Sequence, residues 1–150
     1  MKLKVILTGL IFLLTPAALF NGCDLQPDYE HIEHTKETYP GGAKKVVIVY
    51  EIRDEESIPV ERKHFGENGK LLMQGKVTPE GDRDEKWESY FPNGSVRSVM
   101  HYKEGMKHGK SKVYHFNGKL NYEGMYKNGS RSGTWSYYDN KGKKLEDRDY

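Results

Sequence analysis

A glycine-marked repeat constrains this chain more than any other feature. Gly69, Gly94, Gly118 and Gly142 follow one another at intervals of 25, 24 and 24 residues. Four residues before each stand Phe65, Tyr90, Tyr114 and Tyr138, and eight after each come Val77, Tyr102, Tyr126 and Tyr150. A second glycine follows at Gly81, Gly105 and Gly129, and a third at Gly109 and Gly133, where the first unit has Glu85. Trp87 and Trp135 then begin the next stretch, with Ser111 in the equivalent slot. A unit of this length holds about two short strands and cannot bury a face alone, so successive units must stack.

The residues between the glycines alternate with period two, as in Leu120, Tyr122, Gly124 and Tyr126, and no 3.6-residue period appears. Asn68-Gly69, Asn93-Gly94, Asn117-Gly118 and Asn128-Gly129 are the pairs favoured by type I′ hairpin turns, whose two central residues need positive φ. The expected fold is therefore all-β: an elongated single-layer antiparallel sheet of repeated β-hairpins, with about seven or eight strands over 45–150. Residues 45–58 read as a divergent first unit, with a β-branched run from Val46 to Ile52 and an acidic loop, Asp54-Glu55-Glu56-Ser57, in place of the glycine turn.

Two-residue turns at 93–94 and 117–118 would set Phe91 opposite Val96, Trp87 opposite Met100 and Val113 opposite Tyr122 on one packed face. Phe65, Tyr90, Tyr114 and Tyr138 would then project from the other face as a column spaced by two strands, about 10 Å. With Arg97, His101 and Glu123 as neighbours, that column is the candidate binding face for a peptide, glycan or lipid head group.

The N-terminal part has a different character. Lys2 and Lys4 precede an apolar run from Val5 to Phe20, interrupted by Pro16, which reads as the basic and hydrophobic regions of an export signal. Cys23, the only cysteine, follows directly in Leu19-Phe20-Asn21-Gly22-Cys23. This resembles the lipobox of bacterial lipoproteins, with Gly22 as the small residue before the cysteine, although Phe20 and Asn21 depart from the usual residues. The resemblance implies cleavage before a lipid-modified Cys23. The alternative is an ordinary cleavage near Ala17-Ala18. The expected organisation is a signal peptide over 1–22, a lipidated cysteine and flexible tether over 23–44, and the repeat domain over 45–150. Lipidation would place the protein in the cell envelope, anchored to a membrane.

The pattern from Tyr114 to Trp135, YHFNGKLNYEGMYKNGSRSGTW, resembles the MORN repeat in its bacterial variant form, and the resemblance covers about 62–150. Proteins of this kind are commonly described as YwqK-type antitoxins, which implies a protein partner. The repeat itself implies a scaffold on which binding surfaces are built.

The charge and motif pattern narrows function further. Residues 1–23 remove two lysines and no acid from 24 basic and 22 acidic side chains, so the exported part is balanced and lacks the excess needed to grip nucleic acid. Acids exceed bases over 24–100 and bases exceed acids over 101–150, a dipole along the array. No Gly-x-Ser-x-Gly elbow or His-Glu-x-x-His pair is present, so no catalytic residues are assigned. His64, His101, His108 and His115 fall at different repeat phases and are not expected to converge. His31 and His34 read as part of the solvated tether, and 81–85 reads as a turn rather than a calcium loop. No cofactor or metal is expected. The chain is expected to bind a protein partner, or an envelope glycan or lipid head group, without catalysing a reaction; antitoxin-like neutralisation of a protein toxin is the alternative, and a hydrolytic enzyme the weakest reading.

Overall fold

The computed structural model describes residues 29–150. The expected signal peptide, Cys23 and the start of the expected tether lie outside those residues. The described chain is one antiparallel sheet of ten strands in sequence order: β1 (Glu30–Thr38), β2 (Lys44–Arg53), β3 (Glu56–Phe65), β4 (Leu71–Val77), β5 (Arg83–Tyr90), β6 (Val96–Lys103), β7 (Met106–Tyr114), β8 (Leu120–Lys127), β9 (Ser130–Tyr138) and β10 (Lys144–Asp149). The all-β hairpin sheet matches the expectation from the repeat, but ten strands stand where about seven or eight were expected.

Part of the difference is β1, whose nine residues fall within the stretch read as a tether. Its sequence, EHIEHTKET, lacks apolar alternation because it is an edge strand with its own residues almost all exposed. Charged residues on such an edge discourage pairing with another chain. β1 pairs with β2 along nearly its whole length, from Glu30 opposite Ile52 to Thr38 opposite Lys44. His31 and His34 are three apart on a strand, so they point to opposite faces and cannot share a metal ion.

The turns fall into two sets, one along each end of the strands. At one end, five-residue loops join β1 to β2, β3 to β4, β5 to β6, β7 to β8 and β9 to β10. Each closes in the same way: in the third, Gly94 N donates to the Phe91 carbonyl at 2.8 Å and Phe91 N to the Ser95 carbonyl at 2.9 Å. Only the glycine has positive φ, +87° at Gly94, so these are not the type I′ turns expected at Asn68, Asn93 and Asn117. The asparagine instead accepts a backbone N–H two residues on, from Lys70, Ser95 or Lys119. The opposite end carries the two-residue turns. Asp54-Glu55, Glu104-Gly105 and Asn128-Gly129 have positive φ at both residues, while 78–82 forms a five-residue loop closed by Gly81 N to the Thr78 carbonyl at 2.8 Å.

Each longer loop leaves one extra residue on its second strand. Tyr90, not Phe91, therefore lies opposite Val96, and Arg97 becomes the bulged residue. Beyond the bulge the expected register holds, with Trp87 opposite Met100 and Val113 opposite Tyr122.

A single sheet must find its core within its own faces. Trp87 and Trp135 are 2% and 0% exposed. Each indole lies on a glycine, Gly75 or Gly124, where an added Cβ would fall well inside contact distance. The Trp87 Nε1–H donates to the Lys76 carbonyl at 2.7 Å, and the Trp135 Nε1–H to the Met125 carbonyl at 3.2 Å. In the middle unit the bulk is exchanged: Met100 stands at the glycine position and Ser111 at the tryptophan position, directly opposite one another. At the other end of the array Val46, Val47, Ile48 and Val49 are buried, although alternate residues of a strand face opposite ways.

Candidate binding faces

The two faces of the sheet carry different chemistry, and register shows it as continuous rows. On one face a row runs Ile48, Arg62, Gly75, Trp87, Met100, Ser111, Gly124 from β2 to β8. The parallel row runs Val46, His64, Met73, Ser89, Ser98, Val113, Tyr122, Tyr137. Rings cluster on this face: Tyr122 lies 5.9 Å from both Trp135 and Tyr137, Tyr126 5.1 Å from Trp135, and Tyr102 6.3 Å from Trp87.

Cations lie over those rings at every second strand. Arg83 is 4.5 Å from the Trp87 ring and 5.3 Å from Tyr102. Lys107 is 4.9 Å from Tyr126. Arg131 is 4.6 Å from Trp135 and 4.9 Å from Tyr150. Such contacts contribute on the order of 0.5–2 kcal/mol. The backbone is fixed as well: Gly105 N donates to the Arg83 carbonyl and Gly129 N to the Lys107 carbonyl, both at 2.8 Å. Those turns therefore anchor the cationic positions through the preceding odd-numbered strand.

The same positions interrupt the ladder. Between Gly75 and Val77 two residues of β4 face four of β5, and the same mismatch recurs against β7 and β9. Glu85, Gly109 and Gly133 absorb it with positive φ. The repeating third glycine is thus a bulge residue, and Glu85 takes that conformation at φ +48°.

The opposite face is a ladder of lysines and carboxylates. Lys63 reaches Glu33 at 2.8 Å across β2, Lys76 meets Glu85 at 2.8 Å, Lys86 meets Glu88 at 3.0 Å, and Lys112 meets Glu123 at 3.3 Å. The Lys63–Glu33 contact spans the strand that presents Val47 and Val49 to this face, which is how side-chain stems cover apolar residues without a second layer. Lys63 holds the Glu33 carboxyl below its usual range by hydrogen bond and charge.

Phe65, Tyr90, Tyr114 and Tyr138 stand on this second face, as the sequence parity implied, and all four are half-buried. Three of them close hairpins against an aliphatic partner: Phe65 opposite Leu71, Tyr90 opposite Val96, Tyr114 opposite Leu120. Tyr138 lies opposite Lys144. Two hydroxyls are engaged, Tyr90 donating to Glu88 at 3.1 Å and accepting from Gln74 at 3.0 Å, and Tyr138 donating to Glu123 at 3.3 Å. Burial and the adjacent Glu88 raise the Tyr90 pKa. His101 and Glu123 share this face, but Arg97, expected beside the column, instead borders a notch among the Trp-face residues.

The histidines separate only in part. His64 lies 6.3 Å from Trp87, and His115 Nε2 sits 3.0 Å from the Tyr138 carbonyl at one end of the strands. His101 and His108, contrary to expectation, line one broad concavity of about 910 Å³ near the 78–82 and 104–105 turns, together with Glu80, Asp84, Glu104 and Met125. His101 Nδ1 is held by the Lys110 carbonyl at 2.9 Å and His108 Nδ1 by Asn128 Oδ1 at 3.2 Å. Among the described residues, no three His, Cys, Asp or Glu side chains are grouped to hold a metal ion.

Repeating rows, bulge glycines and ring-stacked cations all recur with one spacing. Residues 86–104 and 107–128 match the MORN repeat variant. These two MORN segments are the central units of the array, β5 to β6 and β7 to β8 with their turns. The sequence pattern also reaches β3–β4 and β9–β10. MORN repeats are generally binding or scaffold modules. No curated protein and no solved structure matches the chain.

Proposed function

We propose that this protein is a non-enzymatic envelope protein, anchored through a lipid on Cys23, that uses its MORN-like array as a binding module. The carrying observation is the single-layer sheet with two chemically distinct extended faces. Such a shape suits contact with a partner's surface and is poorly suited to enclosing a small substrate among acid, base and nucleophile. Export and anchoring are supported by the sequence alone, through the apolar run and Cys23.

Crosslinking in native membranes, followed by purification of the full-length protein, tests this reading. Recovery of a defined polypeptide at the sheet supports it, and identification of that polypeptide as a toxin would extend it to antitoxin-like neutralisation. Recovery of no crosslinked species, with the protein free of membrane after Cys23 has been shown unmodified, would overturn it.

A further inference from the structure

We infer that the aromatic face docks an acidic peptide segment, with an apolar side chain seated in a notch between β5 and β6 and carboxylates on the row Arg83, Lys107 and Arg131. The inference deepens the binding-module reading and depends on it. Three observations meet here.

The first is unequal pairing of charge. On the opposite face Lys63, Lys76, Lys86 and Lys112 all have carboxylate partners. Among the described residues, Arg83, Lys107 and Arg131 have none. Arg83 donates to the Tyr102 hydroxyl at 2.9 Å, Arg131 donates to the hydroxyls of Tyr137 at 3.1 Å and Tyr150 at 2.6 Å, and Lys107 lies over Tyr126. Rings and hydroxyls orient these cations without neutralising them. A restrained cation loses less conformational freedom on binding an anion, and the three recur at a two-strand spacing of about 10 Å.

The second is the notch. The repeat position that holds His64, Val113 and Tyr137 is Ser89 in this hairpin, and the position that holds Met73, Tyr122 and Glu146 is Ser98. The two serines face one another, their hydroxyls 2.7 Å apart. Met73, Trp87, Met100, Val113 and Tyr122 surround them, leaving about 270 Å³. That volume suits a large aliphatic or aromatic side chain above a polar floor.

The third is placement. Arg83 and Arg97 both border the notch, and Arg97 makes no ion pair among the described residues; Glu88, the one carboxylate of the lining, is paired with Lys86 at 3.0 Å. An apolar anchor flanked by carboxylates matches that arrangement. A glycan or a phospholipid head group would use the cations but leave the apolar notch unfilled, so a peptide is favoured.

The test uses the full chain and fluorescent peptides of glutamate bearing a single phenylalanine. Control peptides replace the phenylalanine by serine, or the glutamates by lysines; vesicles of phosphatidylglycerol form a separate arm. Two variants accompany the wild type. Ser98→Tyr fills the notch with the residue that β8 carries at the same repeat position, so the fold accommodates it. Lys107→Gln with Arg131→Gln removes two charges from the row. Melting curves establish that both variants are folded. Binding of the phenylalanine–glutamate peptide that weakens by about tenfold in each variant, and falls with added salt, is expected. Equal binding of the glutamate and lysine peptides, indifference to both variants, or binding only to vesicles would overturn the assignment. Membrane crosslinking unaffected by these variants would leave the binding-module reading standing while removing this one.

Discussion

The tryptophan-on-glycine contact gives the sharpest predictions at the level of single residues. Gly124→Ala places a methyl inside the Trp135 ring, so the indole must shift; the expected loss is about 1–3 kcal/mol, read from urea denaturation. Ser111 predicts the opposite. It is 1% exposed and its hydroxyl finds no hydrogen-bond partner among the described residues. Ser111→Ala removes an unsatisfied polar atom and should leave stability unchanged or raise it by roughly 1 kcal/mol. His64 makes the sheet sensitive to pH. Burial, with Arg62 and Arg83 nearby, lowers its pKa from 6.5, so the folded chain takes up this proton less readily than the unfolded one. Its contribution is therefore complete above pH 6.5 and is lost as pH falls through that value toward the lowered folded pKa. His64→Phe places an apolar ring where other units carry Val113 and Tyr137. Its melting temperature should fall less than that of the wild type on acidification across this window.

At the level of strands and turns, legibility divided along physical lines. The repeat spacing and period-two alternation fix hairpins and face parity, because both are local geometric properties. They do not fix turn type. Asn128-Gly129 and Asn117-Gly118 are the same dipeptide in different turns: Asn128 has φ +49°, whereas the Asn117 side chain caps a longer loop by accepting from Lys119 N. The extra loop residue moved Arg97 from the expected tyrosine column to the notch, and no local pattern announces such a bulge. β1 was missed because an edge strand covered by charges looks like a linker. The ring-stacked cations are legible as Arg83, Lys107 and Arg131 at 24-residue intervals, but spacing alone does not say that rings lie beneath them, because the bulge before each tryptophan sets that contact. Mutation separates the two turns. Asn128→Ala should cost about 1–2 kcal/mol for an alanine at positive φ. Asn117→Ala should instead lose the cap, and Asn117→Asp should retain it. Val in place of Gly118 or Gly129 should lower the melting temperature at either turn, because both glycines have positive φ.

For the molecule as a whole, the proposed anchoring and the assembly of the sheet are separable. Under that proposal Cys23→Ser is expected to release the protein from the membrane fraction while its melting curve stays unchanged. Fractionation and circular dichroism measure the two properties independently. The strand order carries a further consequence. Each strand pairs with its neighbours in sequence, from β1 through β10, so no hairpin waits for a distant segment. All-β proteins usually fold slowly because their pairings close long loops. This one closes only short loops and can assemble progressively, each hairpin templating the next, so under the proposed export a chain emerging from a translocation pore would build its sheet from the amino-terminal end before the last strand has emerged.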